Sequence, residues 1–197
     1  FRTAPTDREP AFTFVAYGDS QSLPSIHQKI ADRILTLLPD FAVHTGDLVA
    51  YGMYDEEWDR FFEIERTLLA HVPLFPSPGN HDANDPRYFD AFVLPGNEHW
   101  YAFDWGNVRI ICLQIDAIVP FGRDSEQVQW LESTLAATTQ EWVIVVFHIP
   151  PYDALPDDDM GYAVRVNVVP LLERYGVDLV LSGHNHNYQR SLVNGIT

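Results

Sequence analysis

The sequence predicts a mixed α/β fold in a single domain. Apolar runs of strand length alternate with segments of helical periodicity through most of the 197 residues, and this alternation is typical of the class. Polar residues (Asp, Asn or His) follow directly after several of these runs, at the position where α/β sheets carry their sites. Hydrophobic residues make up 46% of the chain, which is enough for a sizeable core.

Six apolar runs predict strands, at 12–17, 41–45, 100–104, 108–115, 142–147 and 178–181. The third and fourth are joined at Trp105-Gly106-Asn107, so we expect an antiparallel hairpin there. Apolar residues at helical spacing predict four helices, at 25–38, 55–70, 125–137 and 164–175. Pro39 and Gly176 end the first and the last of them, and Ser125 or Asp124 caps the third. Residues 76–80, with two prolines and a glycine, predict a loop.

Composition excludes several classes of function. The formal net charge is −16 and the twelve basic residues are scattered, so nucleic acid is not an expected partner. No window reaches the roughly 20 apolar residues that a membrane span needs, so no membrane partner is expected. The one cysteine, Cys112, lies in an apolar run; we interpret it as a buried structural thiol, and no internal disulfide is possible.

A set of hard-oxygen and imidazole side chains lies after predicted strands or in and after the predicted loop at 76–80: Asp19, Asp47, Asn80, His81, Asp82, His148, His184 and His186. Each alone has an ordinary explanation, such as an Asx-turn or a core histidine. Together, carboxylates that neutralise charge, imidazoles and an amide oxygen suit a pair of divalent or trivalent cations. Two such ions, about 3.5–4 Å apart, clamp a phosphoryl group and acidify a water. In an extended segment, only a bend at Asn185 would let both flanking imidazoles converge.

The order Gly-Asp, Gly-Asp, Gly-Asn-His-Asp, Phe-His and Gly-His-Asn-His resembles the calcineurin-like metallophosphoesterase superfamily. The flanks at 147–152 and 184–190 are most similar to its purple acid phosphatase-like branch, and the resemblance extends from residue 12 to the C-terminus. It implies a four-layer β-sandwich of two mixed sheets flanked by helices.

The resemblance also implies roles for the side chains. Asp19, Asp47 and His186 would hold a first metal ion, and Asp47 would bridge to a second, which Asn80, His148 and His184 would hold. His81 would lie outside this ligand set, near the leaving group, as a general acid or transition-state stabiliser. Asp82 would orient His81.

Two positions depart from the family pattern. Many members have histidine two residues after the first aspartate, where this chain has Gln21. Purple acid phosphatases have a tyrosine three residues after the second aspartate, where this chain has Ala50, with Tyr51 one residue later. A phenolate ligand selects ferric iron; without it, manganese, ferrous iron or zinc are expected. We treat Tyr51 as a candidate ligand, and Gln21 as a candidate ligand or as a hydrogen-bond partner of the ligands.

The function that the resemblance implies is hydrolysis of small-molecule phosphoesters with a dinuclear metal centre and a metal-held hydroxide, in an acid phosphatase-like phosphomonoesterase. Two alternatives stay open. One is a phosphodiesterase or nucleotide hydrolase, because the loops around the metals decide the substrate. The other is a binding module that keeps the fold without turnover.

The ends of the chain carry further expectations. We expect residues 1–11 to be a linker from a preceding fibronectin-III-like domain, and 12–197 to be a metallophosphoesterase catalytic domain truncated at its C-terminus. We expect the parent protein to be exported, either periplasmic or secreted.

Overall fold

The computed structural model of the protein describes residues 4–5, 11–82, 84–154 and 159–197. Within these residues seven strands form two sheets: β1 (Phe14–Tyr17), β2 (Phe41–His44) and β3 (Leu74–Pro76) in one, β4 (Tyr101–Trp105), β5 (Val108–Cys112), β6 (Trp142–Val146) and β7 (Leu179–Leu181) in the other. The three-stranded sheet is parallel, in the order β1-β2-β3. The four-stranded sheet is mixed, because β4 pairs antiparallel with β5 while β5, β6 and β7 run parallel.

The helices of the described residues are α1 (Pro24–Leu37), α2 (Asp55–Leu69), α3 (Pro86–Ala91), α4 (Glu126–Ala137), α5 (Asp159–Asn167) and α6 (Val169–Arg174). Apolar residues of α1 and α2 pack against the three-stranded sheet, and residues of α4, α5 and α6 pack against the four-stranded one. This is the predicted four-layer arrangement of two sheets flanked by helices, and it is confirmed. Ser125 is the N-cap of α4, since its side chain accepts from the Val128 amide.

The core follows the two-residue period of the strands. In β2, Phe41 and Val43 face the second sheet, while Ala42 faces the helices. In β5, Ile110 points between the sheets and Ile111 points to the outer helices. Each strand therefore fills two apolar layers, because successive side chains point to opposite faces.

Three element predictions need correction. The single helix predicted at 164–175 is two helices that break between Asn167 and Val169. Pro170 lacks an N–H and its ring crowds the carbonyl four residues earlier; that carbonyl, of Val166, accepts instead from the Arg123 guanidinium at 3.0 Å. The short elements β3 and α3 have no counterpart among the predicted ones.

The predicted linker lies mostly outside the described residues, which omit 1–3 and 6–10. Among the helices that are described, none is long and apolar enough to cross a membrane. Cys112 is buried in β5, as predicted, and burial raises the pKa of its thiol to about 12.

Candidate metal centre

The candidate side chains come together because five parallel strands deliver them to one edge of the sandwich. Asp19 follows β1, Asp47 follows β2, Asn80 follows β3, His148 follows β6 and His184 follows β7. Hydrogen bonds tie these loops across both sheets. The amide of Asp19 donates to the Gly46 carbonyl at 3.0 Å, and the amide of His184 donates to both carboxylate oxygens of Asp19 at 3.0 and 3.1 Å.

Four of the candidate residues adopt a left-handed backbone that non-glycine residues rarely take. Their φ angles are 52° at Asp19, 56° at Asp47, 76° at His184 and 48° at His186. Such conformations cost free energy and concentrate at functional sites. The bend expected at Asn185 is made by its neighbours, His184 and His186. Their imidazoles lie in different groups of side chains and do not converge.

Two groups of side chains share Asp47 and meet at its Oδ2 atom; they are numbered after the first and second ions that the resemblance implies. The second group consists of Asp47, Asn80, His148 and His184. His148 Nε2 lies 3.1 Å from Asp47 Oδ2, His184 Nδ1 lies 3.3 Å from His148 Nε2, and Asn80 Oδ1 lies 3.0 Å from His184 Nδ1. Three of these side chains present ligand atoms within 4.8 Å of one another, a spacing that could hold a metal ion.

The first group consists of Asp19, Gln21, Asp47 and His186. His186 Nε2 lies 3.4 Å from Asp19 Oδ1 and 3.2 Å from Gln21 Nε2, and Gln21 Nε2 lies 3.3 Å from Asp47 Oδ2. Ligand atoms that share one ion at bonds of about 2.1 Å lie about 3.0–3.4 Å apart. The spacing in the second group therefore fits a shared ion. In the first group His186 and Asp19 lie at such a distance from each other, and the Gln21 amide nitrogen lies between His186 and Asp47.

The hydrogen bonds of His148 test this fit. Its Nδ1 lies 2.9 Å from the Thr45 carbonyl, which can only accept, so Nδ1 carries the hydrogen. In the neutral ring, the lone pair of Nε2 then faces the carboxylate oxygen of Asp47. Two lone pairs at such a distance repel each other unless a proton or a cation lies between them. The donor chemistry of the second group thus fits a cation between His148 and Asp47, either a proton or a metal ion.

The electrostatics keep Asp47 ionised. Burial by itself raises the pKa of Asp47, but hydrogen bonding to His148 and the charge of His148 outweigh it, and the net pKa is lowered. Burial lowers the pKa of His148, and Asp47 reverses this so that the net pKa is raised. For Asp19, burial raises the pKa and the charge of His148 only partly opposes it.

His81 and Asp82 are placed differently from the expectation that one orients the other. His81 Nδ1 lies 2.8 Å from the Ala50 carbonyl, which therefore fixes the ring, and its Nε2 lies 4.0 Å from Asp47 Oδ2. Asp82 is fully buried and accepts four backbone amides, those of Asp47, Leu48, Val49 and Gly79, at 2.8–3.2 Å. Asp82 holds two loops together because both of its oxygens are used by those amides. Burial raises the pKa of Asp82 to about 7, although the amide hydrogen bonds oppose this.

Glycine is required at position 79, because the backbone there lies in close contact with the side chain of Asp47. A Cβ atom at Gly79 would lie 2.2 Å from Asp47 Oδ1, far inside van der Waals contact. The absence of a side chain lets the His81 amide reach the same Oδ1 at 2.8 Å.

One polar link was not anticipated from the sequence. The Gly46 amide donates to His44 Nδ1 at 3.2 Å, His44 Nε2 lies 3.0 Å from Ser20 Oγ, and that hydroxyl donates to the Leu48 carbonyl at 3.0 Å. The link joins the loop after β1 to the loop after β2. Its only signal in the sequence is a histidine at the end of an apolar strand.

Tyr51 lies beside the residue that orients His81. Its side chain is 57% exposed, and its ring packs against that of Tyr54 with 5.9 Å between centroids. The carbonyl of the preceding residue, Ala50, is the partner of His81. Gln21, by contrast, lies inside the first group.

Comparison with known proteins places this site in a family context. A family model described as calcineurin-like phosphoesterase matches residues 12–188. Purple acid phosphatase 18 of Arabidopsis thaliana is 31% identical, over 77% of this chain and 39% of its own length. The chain spans less than half the length of the first curated relatives it matches.

Two solved structures share the fold. A purple acid phosphatase isolated from yellow lupin (Lupinus luteus) seeds superimposes with a TM-score of 0.78 at 21% identity, covering 93% of this chain and 39% of that one. A dimetal phosphatase from Danio rerio superimposes with a TM-score of 0.72 at 18% identity, covering 95% of this chain and 86% of that one.

Proposed function

Because this chain belongs to the calcineurin-like phosphoesterase family, we propose that it is a metal-dependent phosphoester hydrolase, and specifically a phosphomonoesterase. One observation carries the proposal. Asp47 Oδ2 lies 3.1 Å from His148 Nε2 on one side. On the other side it accepts from the side-chain amide of Gln21 at 3.3 Å, and that amide nitrogen lies 3.2 Å from His186 Nε2. A carboxylate in that position suits a bridge between two ions.

The residues that would hold the ions are those of the two groups. Asp19, Asp47 and His186 would hold the first, and Asp47, Asn80, His148 and His184 the second. When bound, the ions supply Lewis-acid stabilisation of phosphoryl charge and lower the pKa of water. The Thr45 carbonyl contributes by keeping the hydrogen of His148 on Nδ1, which leaves Nε2 as a ligand atom.

His81 is the group proposed to act on the substrate. Its Nδ1 hydrogen is used by the Ala50 carbonyl, so only Nε2 can donate to a phosphoryl oxygen or to the leaving group. The side chain of His81 is 43% exposed and that of His186 is 54% exposed, whereas the side chains of Asp47 and His148 are buried. A substrate would therefore approach from the side of His81 and His186.

The choice of a phosphomonoester rests on relatives. Acid phosphatase type 7 of Homo sapiens is 30% identical over 77% of this chain, and two relatives from Arabidopsis thaliana carry purple acid phosphatase in their names. The net charge of −16 does not oppose an anionic substrate, since bound cations would supply positive potential locally. Two metal ions, drawn from iron, manganese and zinc, remain the proposed cofactors.

The test is hydrolysis of p-nitrophenyl phosphate and of bis(p-nitrophenyl) phosphate after incubation with manganese, zinc or ferrous iron. We expect the monoester to be hydrolysed faster, and Asp47→Asn to lower kcat/KM by roughly a hundredfold or more. Asp32→Asn, which alters a carboxylate on α1 that bonds only Gln28 among its described hydrogen-bond partners, should leave the rate unchanged. Full turnover by Asp47→Asn with metal present would refute the assignment.

The alternatives give other results in the same assay. Faster hydrolysis of the diester would indicate a phosphodiesterase, and bound metal without turnover would indicate a binding module. The linker at 1–11, a preceding fibronectin-III-like domain, the catalytic domain at 12–197 with its C-terminal truncation, and export stay predictions.

A further inference from the structure

Gln21 occupies the position in the first group where a further ligand would lie. Its backbone amide donates to the Asp47 carbonyl at 3.2 Å, which fixes the residue between the loops after β1 and β2. Its side-chain nitrogen lies 3.3 Å from Asp47 Oδ2 and 3.2 Å from His186 Nε2. Its Oε1 atom is buried and has no hydrogen-bond partner among the residues that the structure describes.

The two groups are alike in the spacing of neighbouring polar atoms when Gln21 is included. Each is a chain of donor atoms with neighbours 3.0–3.4 Å apart, and each chain ends at Asp47 Oδ2. In the second group, the end opposite Asp47 is the amide oxygen of Asn80. In the first group, the amide of Gln21 lies directly next to Asp47.

A cation in the first group would change the preferred orientation of this amide. The N–H groups of Gln21 donate to Asp47 and His186 only while those atoms offer free lone pairs. An ion bound to both would use the lone pairs and would repel the positive end of the N–H dipoles. Rotation of the amide by 180° exchanges nitrogen for oxygen and presents the carbonyl dipole to the ion, which is the favourable end.

We propose that Gln21 is a ligand of the first ion through its amide oxygen. The proposal rests on the two-ion site of the proposed function. A neutral oxygen ligand adds no charge to that of Asp19 and Asp47, so the set suits a divalent ion that accepts oxygen ligands, such as Mn²⁺.

The test is the binding isotherm of Mn²⁺ for the whole chain, by calorimetry, with the wild type compared with Gln21→Ala, Gln21→Glu and Gln28→Ala. The last is the matched control, because Gln28 is an exposed glutamine on α1 whose amide bonds Asp32. We expect two sites in the wild type and in Gln28→Ala. Gln21→Ala should weaken one of the two sites by about tenfold or more. Gln21→Glu should keep or strengthen that site, because its carboxylate still supplies an oxygen.

Two results would overturn the proposal alone. If Gln21→Ala binds two ions with wild-type affinity, Gln21 is not a ligand. If Gln21→Glu weakens binding as much as Gln21→Ala does, the side chain serves as an N–H donor to Asp47. Failure of the wild type itself to bind Mn²⁺, zinc or iron would instead overturn the two-ion site and with it the proposed function. Circular dichroism of each variant shows whether a loss of binding reflects a loss of fold.

Discussion

Replacement of Asp82 by asparagine tests whether the site depends on this buried carboxylate. Oδ2 accepts the amides of Asp47 and Gly79 at 3.0 and 2.8 Å, and Oδ1 accepts those of Leu48 and Val49 at 2.9 and 3.2 Å. Asparagine has one oxygen, so two amides would face an NH₂ group instead of an acceptor. Hydrogen bonds to charged groups contribute about 1.5–3 kcal/mol each, and the expected loss is about 3–6 kcal/mol of unfolding free energy.

The measurement is urea unfolding at pH 8, above the pKa of about 7, so that Asp82 is ionised in the wild type. Asp116→Asn is the matched control. Asp116 is also buried, but both of its backbone amide partners, Ile118 and Val119, use Oδ1 at 2.7 Å. Asparagine can keep both amide bonds but loses the Oδ2 acceptor of the Gln114 side-chain amide, which donates to it at 2.5 Å. We therefore expect a loss of about 1.5–3 kcal/mol, half of that for Asp82→Asn. A loss below about 1 kcal/mol for Asp82→Asn, or a larger loss for Asp116→Asn, would refute the reasoning.

Two further predictions concern Gly79 and His44. Gly79→Ala should lower metal affinity by about tenfold or more, because its Cβ would lie 2.2 Å from Asp47 Oδ1; Gly122→Ala, with no atom within 4 Å of the added Cβ, should bind normally in the same titration. Burial, and then the charge of His27, lowers the pKa of His44 to about 3. The unfolded chain therefore takes up a proton that the folded chain does not, and stability should fall as the pH drops from about 6.5 towards 3, by at most about 5 kcal/mol. His44→Gln should flatten that part of the profile in urea unfolding, and an unchanged slope would contradict the prediction.

The sandwich was predictable because its strands are long enough to show an apolar pattern. The apolar runs of β2 and β6 end at Gly46-Asp47 and Phe147-His148. Each run therefore predicts both a strand and the position of the polar residue that follows it. The three-residue strand β3 is too short for such a pattern, and it ends in a proline. The break after Asn167 depended on Pro170, which a reading based on apolar spacing alone overlooks.

That these polar side chains lie close together could be predicted from the sequence, whereas the groups that orient them could not. Much of the support comes from backbone atoms: the Thr45 carbonyl orients His148 and the Ala50 carbonyl orients His81. Backbone groups are present at every residue, so a sequence cannot show which of them a side chain will meet. The four amides that bind Asp82 come from two loops that only the tertiary fold brings together.

The count of metal ions per chain tests the central claim most directly. Protein purified without chelators or a metal-affinity column should be analysed for its elements, before and after incubation with manganese, iron and zinc. Asp47 Oδ2 lies between the two groups, and on that basis we expect two equivalents per chain. One equivalent or none, persisting after incubation with all three metals, would contradict a two-ion site centred on Asp47.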